Sequence, residues 1–562
     1  SDAMLQSIRK YNRNINLLFI CIMKMKYWAL SLLACGGMLA CTNDEVAENN
    51  GKEEGTEVSY LAVNVMNTVG PGTARADEVF ENGSDAESAI TTIRFYFFDA
   101  DGNAFNVSGT SNYKDLSPTS TTPGGESNNV EEITNAILVL DKVSGSVPVS
   151  MVAVVNPPAS LTGNKTLSQL QNVVDDLDGA TKGSFVMSNS VYAEGGESIC
   201  ATSVGSHLKD SQESAEADPV DVYVERVLAK VTVTLDDPDK DADSYCVAGT
   251  SGGDDAIYAK VVGWQVADYK TQSYLLKQIN PAWTDEAIGI TPWSSADYHR
   301  SYWATSVASN VTNSYSWSDI KNGGLLSQVY TQENTPTSAV TNTKTNDLTK
   351  VIVAVQLVNK DGVPSPRYQY LGASYASEDD ILNLIMPNFD NYYIKTAEST
   401  YSPITKNEVE FKTGTALGSG DSYRVYPQLK SSFDRAMEEE KTNLYTKSGE
   451  NYTEADKGTV NTALKSYNAQ IWTQGRCYYY TTIPHLATSG TGTYGVVRNH
   501  VYKINITGIQ GFGTPVYDPT PDNDDDDETI DPVTPTDDAS YLAARINILS
   551  WRVVSKDVTL GK

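Results

Sequence analysis

Cysteine and histidine are scarce: six and four among 562 residues. That scarcity excludes several classes of protein at once. Cys21, Cys35 and Cys41 fall in an N-terminal targeting stretch, which leaves Cys200, Cys246 and Cys477 for the body at spacings unlike any metal motif. At most one disulfide is available, so this is not a disulfide-built scaffold. His207, His299, His485 and His500 lie on unrelated segments, and no HExxH, GxSxG or Cys/His constellation accompanies them. Satisfied structural histidines are therefore expected, and neither an enzyme nor a cofactor or metal site is read. Basic charge is short as well: 42 Lys and Arg against 71 Asp and Glu give a net charge of −29. Phosphate is repelled by such a surface, so nucleic acid is not a partner. No fixed-period repeat is visible.

What is abundant favours strands. The chain holds 33 tyrosines with many Thr, Val and Ser. Strands are predicted over Tyr60–Met66, Ile90–Phe98, Val147–Asn156, Val222–Leu235, Ile257–Val266, Thr349–Val358, Arg476–Thr482 and Val496–Ile509. Asp99-Ala100-Asp101-Gly102-Asn103 after Phe95-Tyr96-Phe97-Phe98 is a turn signal; it also opens like a calcium loop, but Thr110 stands where a bidentate Glu belongs. Short helices are predicted at Ser377–Ile385, Ser432–Tyr445 and Glu454–Ile471. Gly490-Thr491-Gly492-Thr493-Tyr494-Gly495 matches GxGxxG, yet it precedes a strand instead of opening a helix, which makes it a β–β loop.

The two ends carry the functional signal. Ser1-Asp2-Ala3 reads as a tag remnant, with a start expected at Met23 or Met25. Lys24 and Lys26, then the apolar Tyr27–Ala40, then Cys41 followed by Thr42-Asn43-Asp44-Glu45, resemble a lipoprotein signal whose thiol at Cys41 would carry the lipid. The rival is Cys35 after Leu32-Leu33-Ala34, although the acidic stretch begins only at Cys41, and the plainer reading is an ordinary secretory signal. The apolar stretch is too short to span a bilayer comfortably. An isolated strand follows, with Leu61, Val63 and Val65 on one face, and after it the exposed loop Thr68–Asp77 presents Arg75 before Ala76 as a protease site. At the other end Thr514–Asp538, rich in Pro and Asp, reads as an extended spacer. Beyond it Leu542, Ala544, Ile546 and Ile548 alternate on one face until the apolar side switches to Leu549, Trp551 and Val553, which calls for a bulge or two short strands. A lone amphipathic strand is not stable by itself and must pair with a sheet edge, and the spacer lets it reach another molecule.

In order, the signal at Cys41, the loop ending at Arg75, the Phe95–Gly102 hairpin, Phe185–Asn189, Val224–Val233, Val496–Ile509, the spacer and the tail ending near Trp551 resemble the Bacteroidetes type V pilus fimbrillins, specifically the minor-fimbria (Mfa-type) stalk subunits. The resemblance implies an all-β fold with minor helices: two transthyretin-like β-sandwich domains plus a tethered C-terminal donor strand. The segments expected are 1–41 upstream extension and lipoprotein signal, 42–75 propeptide with a removable strand, 76–217 and 218–513 the two sandwiches, 514–539 spacer and 540–562 donor strand. It further implies a cell-surface fimbria whose precursor is an outer-membrane lipoprotein. An arginine-specific protease cuts at Arg75–Ala76, and copies of the subunit, or related fimbrial subunits, polymerise by strand exchange through Leu542, Ala544, Ile546, Ile548, Leu549 and Trp551. The competing readings are an accessory or tip adhesin of the same family and a lipid-anchored surface glycan-binding protein that stacks sugars on Trp264, Trp283, Trp293, Trp303 and Trp317.

Overall fold

Strands form where β-branched and aromatic side chains alternate with polar ones, because that pattern suits a half-buried pleated surface. The computed structural model describes residues 58–68, 81–118, 120–123, 130–141, 146–177, 185–236, 238–308, 311–312, 315–343, 345, 347–414, 416–417, 423–430, 444–518, 529–530, 541–549 and 554–558. Eight strands build the first sheet: β1 (Val58–Thr68), β2 (Ile93–Phe98), β3 (Tyr113–Leu116), β4 (Ser120–Pro123), β5 (Val130–Asp141), β6 (Ser150–Val155), β7 (Met187–Asn189) and β8 (Val220–Arg226). Their spatial order is β3-β2-β6-β7-β8-β1-β5-β4, and Thr202–Ser203 adds a ninth short strand beside β6. The sheet curls until β3 meets β5, where Lys114 Nζ donates to the Val139 carbonyl at 2.8 Å. One core fills the interior, with Leu61, Phe95, Phe97, Leu138, Val154 and Val222 fully buried. The turn after β2 has the expected chemistry. Asp99 Oδ1 accepts from the backbone N–H of Asp101 (2.9 Å) and Asn103 (2.8 Å), and Gly102 takes a φ of +76° that a Cβ would strain.

The single strand expected over Val222–Leu235 is two. Strand β8 stops at Arg226 and β9 (Ala229–Leu235) joins a different sheet. Val227 and Leu228 between them are buried, so the apolar pattern runs through the crossing without a break. The chain continues through β10 (Ser244–Ala248), β11 (Ile257–Ala267), β12 (Val329–Thr331), β13 (Lys350–Asn359), β14 (Arg476–Thr482), β15 (Val501–Gln510), β16 (Thr514–Pro515), β17 (Tyr541–Leu549) and β18 (Val554–Val558). Two five-stranded sheets, β12-β9-β15-β17-β18 and β10-β11-β13-β14-β16, share a second core that includes Val231, Trp264, Val353, Val355, Tyr502 and Ile504. Strand β15 begins at Val501 and not at Val496. Before it, Asn499 turns the backbone at φ +56°, while the Arg498 guanidinium pairs with Glu333 at 3.1 Å and donates to the carbonyls of Leu275 and Tyr274.

Strands β13 and β14 are antiparallel neighbours, yet residues 360–475 lie between them. This insertion has its own core of Ile381, Ile385, Phe389, Phe411, Leu444 and Leu464 and three small sheets. Helix Glu378–Ile385 starts as expected, with Ser377 Oγ accepting from Asp380 N–H at 3.2 Å and acids in its first turn. The later helix is shorter than Glu454–Ile471. It spans Lys457–Leu464, because Gln470–Trp472 extends as a strand against Arg367–Gln369. Of the helix expected over Ser432–Tyr445, Leu444 and Tyr445 belong to strand Leu444–Ser448, and positions 432–443 lie outside the described residues.

Candidate strand-exchange site

Strand β1 is an interior strand of the first sheet. It runs parallel to β8, in the register Val63↔Val220, Val65↔Val222 and Asn67↔Val224. It runs antiparallel to β5, with Leu61↔Leu138, Val63↔Ala136 and Val65↔Thr134. Leu61, Val63 and Val65 are at most 1% exposed and belong to the core. On the opposite face Asn64 Nδ2 donates to Asp221 Oδ1 at 3.0 Å. Tyr60 exchanges two backbone hydrogen bonds with Lys209 at 2.7 and 2.9 Å. Burying three such side chains stabilises by about 5–9 kcal/mol before ordering costs. Taking β1 away leaves facing ladders on β5 and β8 with unpaired N–H and C=O groups, and an apolar floor between them.

The two walls of that slot are tied together beyond the C-terminal end of β1. Arg226, at the end of β8, donates from Nη2 to Glu131 Oε1 on β5 at 2.9 Å, with both side chains at most 3% exposed. Arg226 Nε also donates to the Glu87 carbonyl at 2.9 Å. Glu87 in turn binds Lys230 of β9 at 2.9 Å and accepts from the Tyr330 hydroxyl at 2.6 Å. Burial by itself raises the Glu87 pKa, but the hydrogen bonds from Tyr330 and Lys230 outweigh it and hold the carboxyl below its ordinary value. This buried set joins β5, β8 and the start of the second sandwich without using any atom of β1. The sequence gives no hint of it, because its members are scattered from position 87 to 330.

The tail strand finds an edge in its own chain. Strand β17 pairs antiparallel with β15, setting Leu542, Ala544, Ile546 and Ile548 opposite Ile509, Ile506, Ile504 and Tyr502. Those four β15 residues are at most 4% exposed. The change of phase at Leu549 is met by the second of the two expected forms: β17 ends there and β18 returns antiparallel, with Ile548↔Val554. The pairing is local because β15 directly precedes the spacer, which keeps loop closure cheap. Thr529 and Ile530 of the spacer pair with Ser316 and Tyr315.

Cys41, Arg75, Ala76 and Trp551 lie outside the described residues. Four of the five tryptophans considered for sugar stacking are core residues: Trp264, Trp303 and Trp317 are 1% exposed and Trp293 is 5% exposed. Trp283 packs edge-on against Trp293. A tryptophan platform for sugars is therefore not what these side chains build. His485 and His500, distant in sequence, come together with ring centroids 5.1 Å apart. His299 stacks on Tyr223 at 3.7 Å, and His207 faces Asp218 at 3.3 Å. The Gly490–Gly495 stretch is a loop between β14 and β15 packed on the short helix Asp285–Ile288. Among the described residues no helix is long and apolar enough to cross a membrane.

No curated protein matches the chain. The family model described as "Major fimbrial subunit protein type IV, Fimbrillin, C-terminal" matches residues 470–557, the stretch from β14 through β15 and the spacer to β17 and β18. Among solved structures, a fimbrilin (fimA) from Porphyromonas gingivalis W83 is 14% identical, covering 89% of this chain and 99% of its own, at a TM-score of 0.36. The tip fimbrial protein Mfa3 from Porphyromonas gingivalis is 11% identical over 88% of this chain and 100% of its own, at a TM-score of 0.29. The fimbrial anchor protein Mfa2 from the same organism is 8% identical over 88% and 100%, at a TM-score of 0.24. Likenesses at these scores carry no argument by themselves, and what the comparisons establish is the C-terminal match: residues 470–557 match the model of the fimbrillin C-terminal family.

Proposed function

We propose that the chain is a structural subunit of a cell-surface fimbria that polymerises by strand exchange after proteolysis. The observation that carries this reading is the place of β1. It is an interior strand of the first sheet, and every other described strand of that sheet follows position 75 in the chain. A cut between Arg75 and Ala76 severs β1, together with a lipid on Cys41, from the body. What had been an intramolecular strand becomes a dissociable peptide. The slot between β5 and β8 then accepts the tail of a neighbour, with Leu542, Ala544, Ile546, Ile548, Leu549 and Trp551 supplying the side chains that β1 supplied. Burying four or five of these side chains contributes about 5–12 kcal/mol before ordering costs. The precursor, with its slot filled by β1 and its tail on β15, is the assembly-incompetent form. It is held at the outer membrane as a lipoprotein and released by an arginine-specific protease.

The expected boundaries at 217/218 and 513/514 shift in this scheme. Strand β8 (Val220–Arg226) belongs to the first sheet, so the body divides at the Val227-Leu228 crossing. Strand β16 with the buried Val516, Tyr517 and Asp518 belongs to the second sandwich, so the tether starts after Asp518 and runs to 539, with 540–562 as the donor. The partners are copies of the subunit or related fimbrial subunits, and the role is structural, supporting adhesion and colonisation. The test is to substitute Ile546→Asp, and separately to delete Ser540–Lys562, in the full chain. Both variants should be cut normally and remain monomeric by sedimentation, whereas the unaltered chain assembles. Assembly of the deleted chain at the unaltered rate sinks the proposal.

A further inference from the structure

The insertion between β13 and β14 is more than a loop, and strand exchange gives it no task. Where strand Gln470–Trp472 lies against Arg367–Gln369 it forms a cavity of about 330 Å³, at the lower end of the range for ligand pockets. Gln369 and Gln470 stand directly opposite one another across the two strands, and both line the cavity. Neither carboxamide has a hydrogen-bond partner among the described residues. Arg424 and Asn468 line it as well, with Nη1 of the arginine donating to the asparagine Oδ1 at 3.4 Å. Tyr467 presents a ring that packs edge-on against Phe389 beneath.

The rim adds an independent signal. Strand Arg367–Tyr370 turns into Ala373–Tyr375 through Leu371 and Gly372, both with positive φ (+51° and +77°). A two-residue turn of this kind favours Asn-Gly, because a leucine pays a steric penalty in the left-handed region. Leu371 is also 85% exposed, the greatest exposure of any large apolar side chain among the described residues. A residue that suits neither the turn nor the solvent, placed at the mouth of a polar cavity, fits a contact with a ligand that has an apolar face.

We infer that this cavity is a binding site for an anionic saccharide residue, a uronate or sialate. The two carboxamides suit vicinal hydroxyls, which both donate and accept. The guanidinium suits a carboxylate. Leu371 and Tyr467 suit the C–H face or an N-acetyl methyl group. The inference goes beyond the subunit's structural role and does not depend on strand exchange, since the site is complete in one uncut chain.

The experiment is saturation-transfer NMR on the uncut full-length monomer with 3′-sialyllactose and trigalacturonate, against neutral lactose and hexaglutamate. At least one acidic sugar should bind, and lactose should bind about tenfold more weakly. Arg424→Gln and Gln470→Ala should each weaken that binding by about tenfold. Leu371→Asn is the decisive variant. Asparagine suits the turn better, so the melting temperature should be unchanged or higher while affinity falls by about fivefold. Absence of binding by both acidic sugars overturns the inference. So does unchanged binding in Leu371→Asn and Arg424→Gln, and so does equal displacement by hexaglutamate, which points to an acidic peptide.

Discussion

His500 is 1% exposed, and its Nδ1–H donates to the Arg498 carbonyl at 2.8 Å, which sets the Nδ1–H tautomer of the neutral ring. Beside it His485 accepts at Nδ1 from the Tyr502 hydroxyl at 2.9 Å and donates from Nε2 to the Tyr302 carbonyl at 2.8 Å. Burial pushes the His500 pKa well below its ordinary value, and His485, Arg300 and Lys277 push the same way. The unfolded chain therefore binds this proton below about pH 6.5 while the folded chain does not, so stability is full above that pH and falls as pH drops through the window below it. The slope is about 1.4 kcal/mol per pH unit. Urea denaturation from pH 7 to pH 5 should show the unaltered chain losing about 2 kcal/mol more than His500→Gln loses; parallel curves contradict this. Glu131 poses a second test at this scale. Replacing it by alanine leaves Arg226 charged and buried, which costs about 3–5 kcal/mol. A loss below about 1 kcal/mol on denaturation means that the pair does not hold the slot walls together.

Strand β17 pairs with β15 in the single chain, so a tail that enters a neighbour has to leave that edge first. Hydrogen exchange should read this directly. The β15 amides that face β17 are expected to lose protection in the polymer, while the amides of β5 and β8 stay protected because a new strand replaces β1. Retained β15 protection contradicts donation by β17. Elements of this kind were legible wherever local chemistry decides. The alternation of Leu61, Val63 and Val65, the Asp99–Asn103 turn and the capped helix at Ser377 all read correctly from their own residues. Non-local features did not read. The crossing at Val227-Leu228 is as apolar as the strands it separates. The Arg498–Glu333 pair that holds Val496–His500 out of β15 joins positions far apart in the chain. The cavity of the insertion draws on three segments, around 369, 424 and 468, none of which carries a motif.

At the scale of the whole molecule, one covalent link, Arg75–Ala76, is decisive in the proposed assembly. The chain places β1 before Arg75 and the other described strands of its sheet after it, so under the proposed scheme a single cut would convert a folded monomer into a body with a replaceable strand. Under that scheme each subunit would offer one slot and one tail, a head-to-tail and open-ended contact with the symmetry of a fibre and not of a closed ring. An inserted strand held by a full ladder unzips slowly, so the fibre should persist kinetically. The most direct test is limited digestion of the purified monomer with an arginine-specific protease, followed by gel electrophoresis without boiling. The account predicts a ladder of oligomers that survive detergent and collapse on heating, with Ala76 as the new N-terminus. Clean cleavage after Arg75 that leaves only monomer contradicts it.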